Sequence, residues 1–311
     1  MLQRVYAPHL NAHVVLGGRL PPRVIHPHLK LSRYMNLSIL PSSPASADYG
    51  AKAQASLRNI FLNNQLGDCV IASGYHIEGV ATGNATGVPF IATGQQIIND
   101  YHYIGNYIPG NPATDQGCEI QTALAYWSSH GFANGTKLLG YMSVDASNQV
   151  EVATAIWLFE NMDFGVGLPN PWVSPLPSAD GFVWGSGTPD LNNGHSFCAF
   201  GYNKDGVPVD TWALEGLFTW SGLATTAVPR VGGEAWVLLT PDIINKAQQK
   251  APNGFDWSAL ISDWNAMGGH VMPPPAPVPV PVPTPPSPAP VAGPALTQTQ
   301  VVSLLHNSWP K

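Results

Sequence analysis

Hydrophobic periodicity changes once along this 311-residue chain, and that change constrains the fold more than any other feature. Between residues 69 and 159 the apolar positions recur at helical spacing. Val70, Ile77 and Ala81 fit one helix after Cys69. Thr93 and Gln96 stand in capping-box spacing ahead of Ile97, Tyr101 and Ile104, which share a face at i, i+4 and i+7. Ile120, Ala123, Leu124 and Trp127 form a third stripe that stops at Gly131, a natural C-cap. Asn148 and Glu151 open a fourth helix that buries Val152, Ile156 and Phe159. Beyond it come short apolar or alternating runs at 164–168, 195–202, 207–212 and 235–239, separated by Gly, Asn and Asp turns such as NKDG. Helices followed by antiparallel strands define an α+β fold, with a helical N-terminal lobe and a stranded, barrel-like C-terminal lobe meeting at a cleft. Clefts of that kind are where sites form.

Both flanks read differently from this domain, which spans 58–270. Residues 1–57 are rich in Pro, His and Ser with little periodicity, the pattern of an extended arm lying on the domain. Residues 271–294 are a proline-rich linker that is either polyproline II or disordered. Residues 295–311 form a short amphipathic helix: Thr297 and Gln300 make a capping box, and Val301, Leu304 and Leu305 share a face. So short a helix needs a surface to dock on, either the parent domain or a protein partner.

Composition narrows the partners. Charged residues are 10% of the chain, against about 25% in an average soluble protein. Gly and Pro each occur 31 times, so the surface is either loop-rich or covered by partners. A net charge of -6 with 13 thinly spread Lys and Arg offers no basic patch, which argues against nucleic acid. No run has the length of a membrane span and no signal-peptide pattern opens the chain, so a cytoplasmic or virion-associated protein with no membrane partner is expected. Cys69, Cys118 and Cys198 are too few and too dispersed for a disulfide framework or a zinc cluster. His26 and His28 read as loop residues, and no metal or cofactor is expected.

The candidate chemistry centres on the stretch NNQLGDCVIASGYH, residues 63–76. Cys69 stands where a Gly-containing turn meets a helix, and a helix N-terminus lowers a thiol pKa. Asp68 acts the other way if its carboxylate turns toward the sulfur. His195 opens a strand in GHSFCAF, and DTWA follows at 210–213. Cys198 lies three residues beyond His195 and faces the other side of the strand, as core. Cys118 reads as structural. His76 is two helical turns from Cys69, too far to act as its base.

The order Cys on a helix start, His on a strand, then Asn or Asp before a small residue and Trp resembles the papain-like cysteine peptidases, as a divergent phage or bacterial member. LGDC at 66–69 is similar to the end of that family's Q-G-x-L-G-S-C turn. DQGCEIQTALAYWSSHGF, from Asp115 and including Gly117, resembles its Gly-rich strip and following helix beside the substrate groove. GHSFCAFGYNKDG resembles its GHAV-type strand and turn, DTWA its NSWG motif, and 137–169 the segment joining its lobes. The resemblance runs from about 57 to 240. It implies a papain-like two-lobed fold with Cys69 as nucleophile, His195 as base and then acid, Asp210 as the group orienting the imidazole, and Trp212 shielding that contact. It places the oxyanion-hole amide at Asn63, one methylene shorter than the family's Gln, with Gln65 as the substitute. One oxyanion donor is worth about 10²–10³ in rate.

Two functions follow from this reading. One is a cysteine peptidase hydrolysing peptide bonds in peptide or protein substrates, with residues 1–57 as a segment crossing the cleft. The other is a structural or binding component of a larger assembly, such as a phage virion, built on the same scaffold, with the proline-rich strap holding a protein partner.

Overall fold

The computed structural model describes residues 2–22, 28–36, 39–40, 42–250 and 255–266. His26, the proline-rich linker and the C-terminal helix anticipated from the sequence lie outside the described residues. The elements run β1 (Gln3–Ala7), β2 (Ala12–Leu16), β3 (Leu29–Lys30), β4 (Ala47–Asp48), α1 (Gln54–Leu57), α2 (Cys69–Thr86), α3 (Gly94–Gly105), α4 (Ile120–Ser129), β5 (Gly140–Ser143) and α5 (Gln149–Phe159). They continue with β6 (Met162–Gly167), α6 (Asn170–Val173), β7 (Phe182–Trp184), β8 (Gly194–Ala199), β9 (Gly201–Tyr202), β10 (Gly206–Thr211), β11 (Leu214–Thr219), α7 (Trp220–Thr226), β12 (Glu234–Leu239), α8 (Pro241–Lys250) and α9 (Trp257–Ala266).

Helix α2 is the spine of the helical lobe. Apolar side chains surround it on all sides, and nearly all its residues are buried, as a helix without a polar face requires. It packs on β8, α3 and α4. Gly74 makes the α4 contact possible, since a Cβ there would meet the Trp127 ring at 2.1 Å. Helix α3 begins with the anticipated capping box, Thr93 accepting from the Gln96 amide and Gln96 closing back on Thr93. At α5 the box is half formed. Asn148 caps Val150 and Glu151, but Glu151 turns its carboxylate to the Asp145 amide instead.

The second lobe is an eight-stranded sheet in the order β3-β5-β12-β6-β8-β10-β11-β7. Its central pairs are antiparallel, whereas β3 on β5 and β7 on β11 are parallel additions at the two edges. Phe164, Phe197 and Phe218 meet beneath it with ring centroids 5.5–6.1 Å apart. Pairs of this kind contribute about 0.5–1.5 kcal/mol each beyond area burial. The run 195–202 is two strands rather than one. It breaks at Phe200, whose carbonyl accepts from the Tyr49 amide, and β9 then pairs with β4.

Residues 2–20 form a hairpin and a trailing segment instead of a plain extended chain. β1 and β2 pair from Gln3 with Leu16 to Ala7 with Ala12, around a tight turn ending at Asn11 in the left-handed region, φ 47°. Among the described residues no helix is long and apolar enough to cross a membrane.

Candidate active site

Cys69 is the first residue of α2 and is 2% exposed. Its N-cap, Asp68, does not cap. The Asp68 side chain is fully buried and accepts from Asn63 Nδ2 at 3.1 Å, while the same Nδ2 donates to the Leu66 carbonyl at 3.3 Å. Burial therefore holds the Asp68 carboxyl well above the usual carboxylate range, against the pull of the Asn63 amide. The Asn63 amide, which the resemblance implied for the oxyanion, braces this turn. Gln65, the substitute the resemblance offered, is exposed, and its backbone carbonyl accepts from Arg4 Nη2 at 3.2 Å.

His195 sits on β8, the strand on which α2 packs. It is 1% exposed, and its ring stacks on Trp212 with centroids 4.3 Å apart and planes 18° from parallel. Its Nε2 lies 2.6 Å from Thr211 Oγ1, and Nδ1 has no hydrogen-bond partner. Thr211 thus stands where the sequence resemblance had placed Asp210. The reason is strand alternation: neighbours on β10 point to opposite faces, so one of the pair meets His195 and the other meets α2. Asp210 Oδ1 is 2.6 Å from Nδ1 of His76, whose Nε2 lies 2.9 Å from the Asn59 carbonyl. Burial by itself would push His76 down, but the Asp210 carboxylate and the Asn59 carbonyl outweigh it and hold His76 above its ordinary value. His76, set aside in the sequence as too far from Cys69, is the ionic partner of Asp210. The residue spacing along α2 gave no signal of this cross-lobe contact.

A third carboxylate joins the lobes. Asp163 on β6 accepts from Ser73 of α2 at 2.8 Å and from Ser196 of β8 at 2.7 Å, and burial pushes it up to about 7. A cavity of about 10 Å³ is lined by Asn63, Ser73, His76, Ser196, Asp210 and Thr211. It holds no more than about one water.

The N-terminal segment closes the cleft in front. Gly18 lies against the turn before Cys69, where a Cβ would sit 2.4 Å from the Gly67 carbonyl oxygen. The amides of Gly17 and Arg19 donate to the carbonyl of Gly194, the residue before His195, at 3.1 and 3.3 Å. On the other side, the Cys118 amide donates to the Gly18 carbonyl and the Leu20 amide to the Cys118 carbonyl, both at 2.9 Å. Gly117, at φ 78°, faces Gly18 backbone to backbone. Asp115 and Tyr101 brace this wall, Asp115 accepting from the Gly67 amide at 3.0 Å and from the Tyr101 hydroxyl at 2.7 Å, while that hydroxyl accepts from the Gly117 amide at 2.8 Å. His9 Nε2 reaches the Trp212 carbonyl at 2.9 Å.

Covered in this way, the two candidate reactive groups are both uncharged. Burial pushes the Cys69 thiol up to about 12, despite the Ser196 amide beside it, and Asp68 and Asp163 add to the rise. Burial pushes His195 down to about 3 from 6.5. A histidine lowered on folding contributes stability above its unfolded pKa, and that contribution is lost as pH falls toward the folded value. His195 is therefore expected to remove up to about 1.4 kcal/mol of stability per pH unit on acidification. The window runs from pH 6.5 toward 3. Urea unfolding of the wild type and His195→Asn across this range isolates the effect, since Asp163 and His76 titrate in both. Parallel stability curves would refute it.

Among the described residues no group of three or more His, Cys, Asp or Glu is placed to hold a metal ion, and all three cysteines are free.

A helical lobe headed by a buried cysteine, a sheet lobe carrying histidine, and a cleft between them constitute the papain-like cysteine-protease fold. Among solved structures, xylellain, a cysteine protease from Xylella fastidiosa, matches with a TM-score of 0.58 at 14% identity, over 77% of this chain and 98% of its own. The digestive procathepsin L2 proteinase of the Tenebrio molitor larval midgut matches with a TM-score of 0.50 at 15% identity, over 72% and 78%. At these identities the likeness is one of fold. No protein-family model matches the sequence, and no curated protein matches it significantly.

Proposed function

We propose that the protein is a cysteine peptidase whose cleft is held closed by its own N-terminal segment. The observation that supports this reading most directly is that residues 17–20 run backbone-bonded between Cys118 and Gly194, the residue before His195, with Gly18 packed against the turn that presents Cys69. When the segment leaves, water reaches both groups and the desolvation that keeps them neutral is relieved. With the Nε2 proton directed at Thr211 Oγ1, Nδ1 of His195 offers its lone pair to the thiol and takes its proton. The thiolate then attacks the substrate carbonyl carbon. The tetrahedral oxyanion is received by the Cys69 amide at the start of α2, where the helix dipole favours negative charge. His195 returns the proton to the leaving amine, and water hydrolyses the thioester with the same histidine as base.

The test is alkylation by a thiol-reactive epoxide in the Arg19→Ala full-length chain, with the adduct located by mass spectrometry. Cys69 is expected to react at least tenfold faster than free cysteine at pH 7, and His195→Ala is expected to bring the rate down to that of free cysteine. Reaction no faster than free cysteine, with or without His195, would leave the fold as an inert scaffold, the assembly role raised by the sequence.

A further inference from the structure

The cleft contains a pocket with a fixed acid at its end. Arg19 is 1% exposed, and its guanidinium leaves the segment to enter the sheet lobe. Nε and Nη2 donate to Glu234 Oε1 at 3.1 and 2.5 Å, and Nη1 donates to the Gly232 carbonyl at 2.7 Å. Glu234 is held independently of the segment, since its Oε2 accepts from the Trp236 indole at 2.9 Å. The wall is kept open by the lack of a side chain at Gly165, where a Cβ would lie 2.7 Å from both Arg19 Nε and Ile120 Cδ1. The main chain around Arg19 is meanwhile bonded to Cys118 and Gly194, the two edges of the cleft.

We infer that this is a specificity pocket and that Arg19 occupies it in place of a substrate side chain: the enzyme takes peptides with a basic residue, arginine above all, over the Cys118 strip. The inference rests on the peptidase reading of the cleft. A plain structural anchor needs only the ion pair. Here the pair is combined with main-chain pairing beside the reactive groups, in a pocket whose carboxylate stays positioned after the segment departs. Covered by a chain that brings no cation, that carboxylate is a buried charge without a partner, which is costly, and a guanidinium with its planar fork of donors is the group that matches it. A neutral side chain of the same size leaves the charge unpaired.

Peptide binding tests the pocket without requiring catalysis. The full-length Arg19→Ala chain is titrated with fluorescent peptides of sequence LGGRLP, copied from residues 16–21, with arginine, citrulline or leucine at the fourth position. The arginine peptide is expected to bind at least tenfold more tightly than either of the others by fluorescence anisotropy. Glu234→Gln, which preserves an acceptor for Trp236, is expected to abolish that preference in the same background. Equal binding of arginine and citrulline peptides, no binding of the arginine peptide, or an arginine preference that survives Glu234→Gln would each overturn the inference. The citrulline comparison needs no second substitution and so stands even if Glu234→Gln does not fold. Arginine-selective binding by a chain whose Cys69 is unreactive would uphold the pocket while refuting the peptidase chemistry.

Discussion

Arg19→Ala is expected to raise the rate at which iodoacetamide modifies Cys69 in the full-length chain by about 10²-fold or more over the wild type. Removing one member of a buried ion pair costs about 3–5 kcal/mol, because the remaining charge is left without compensation. In this fold the cost falls on the closed arrangement: when the segment lifts away, Glu234 regains access to water. The equilibrium between covered and uncovered Cys69 therefore shifts by most of that amount, and each 1.4 kcal/mol is about tenfold in accessibility. Cys198, buried within the sheet away from the segment, provides an internal reference in the same digest. Equal Cys69 modification in the two proteins would show that Arg19 does not hold the segment down.

The second large effect separates Asp210 from Thr211. Asp210→Ala removes the carboxylate from a buried pair with His76, and is expected to destabilise the protein by about 3–5 kcal/mol. For a domain of this size that lowers Tm by about 6–20 °C. Thr211→Val keeps the shape of the side chain and the stability within about 1–3 kcal/mol, the cost of an unsatisfied buried group. It deprives His195 Nε2 of its partner, however, and so is expected to slow Cys69 alkylation in the Arg19→Ala background at least tenfold. Differential scanning calorimetry and the alkylation assay read the two effects separately. A fully stable Asp210→Ala protein that has lost thiol reactivity would reverse the assignment and restore Asp210 as the group orienting His195.

The pair also shows where the sequence could be read and where it could not. The helical stripes ending in Trp127 and Phe159, and the strands around Phe164, Phe197 and Leu239, follow from local periodicity, which survives without knowledge of any partner element. The approach of His195 to the helix carrying Cys69 also follows, through motif order. The identity of its hydrogen-bond partner does not. DTWA offers two adjacent polar residues to opposite faces of β10, and only the tertiary arrangement decides which face meets the histidine. Asn63 and Asp68 were legible as positions, and the bond between them inside the turn was not. Arg19 carried no signal at all. A single arginine after two glycines in an aperiodic segment becomes informative only when Glu234, more than two hundred residues away, is brought to its side chain.

Because the cleft segment belongs to the same chain, its hold on the cleft is governed by local concentration as well as by contact energy. A tethered peptide experiences an effective concentration in the millimolar range for a short flexible connection, so even a segment that would bind only weakly in trans keeps the groove filled in cis. A competing substrate must exceed that threshold, whereas one scission between Leu20 and β3 releases the segment to the far lower concentration of a free peptide. The chain linking Arg19 to the domain therefore sets how much substrate is needed to open the protein, although none of its residues need touch Cys69.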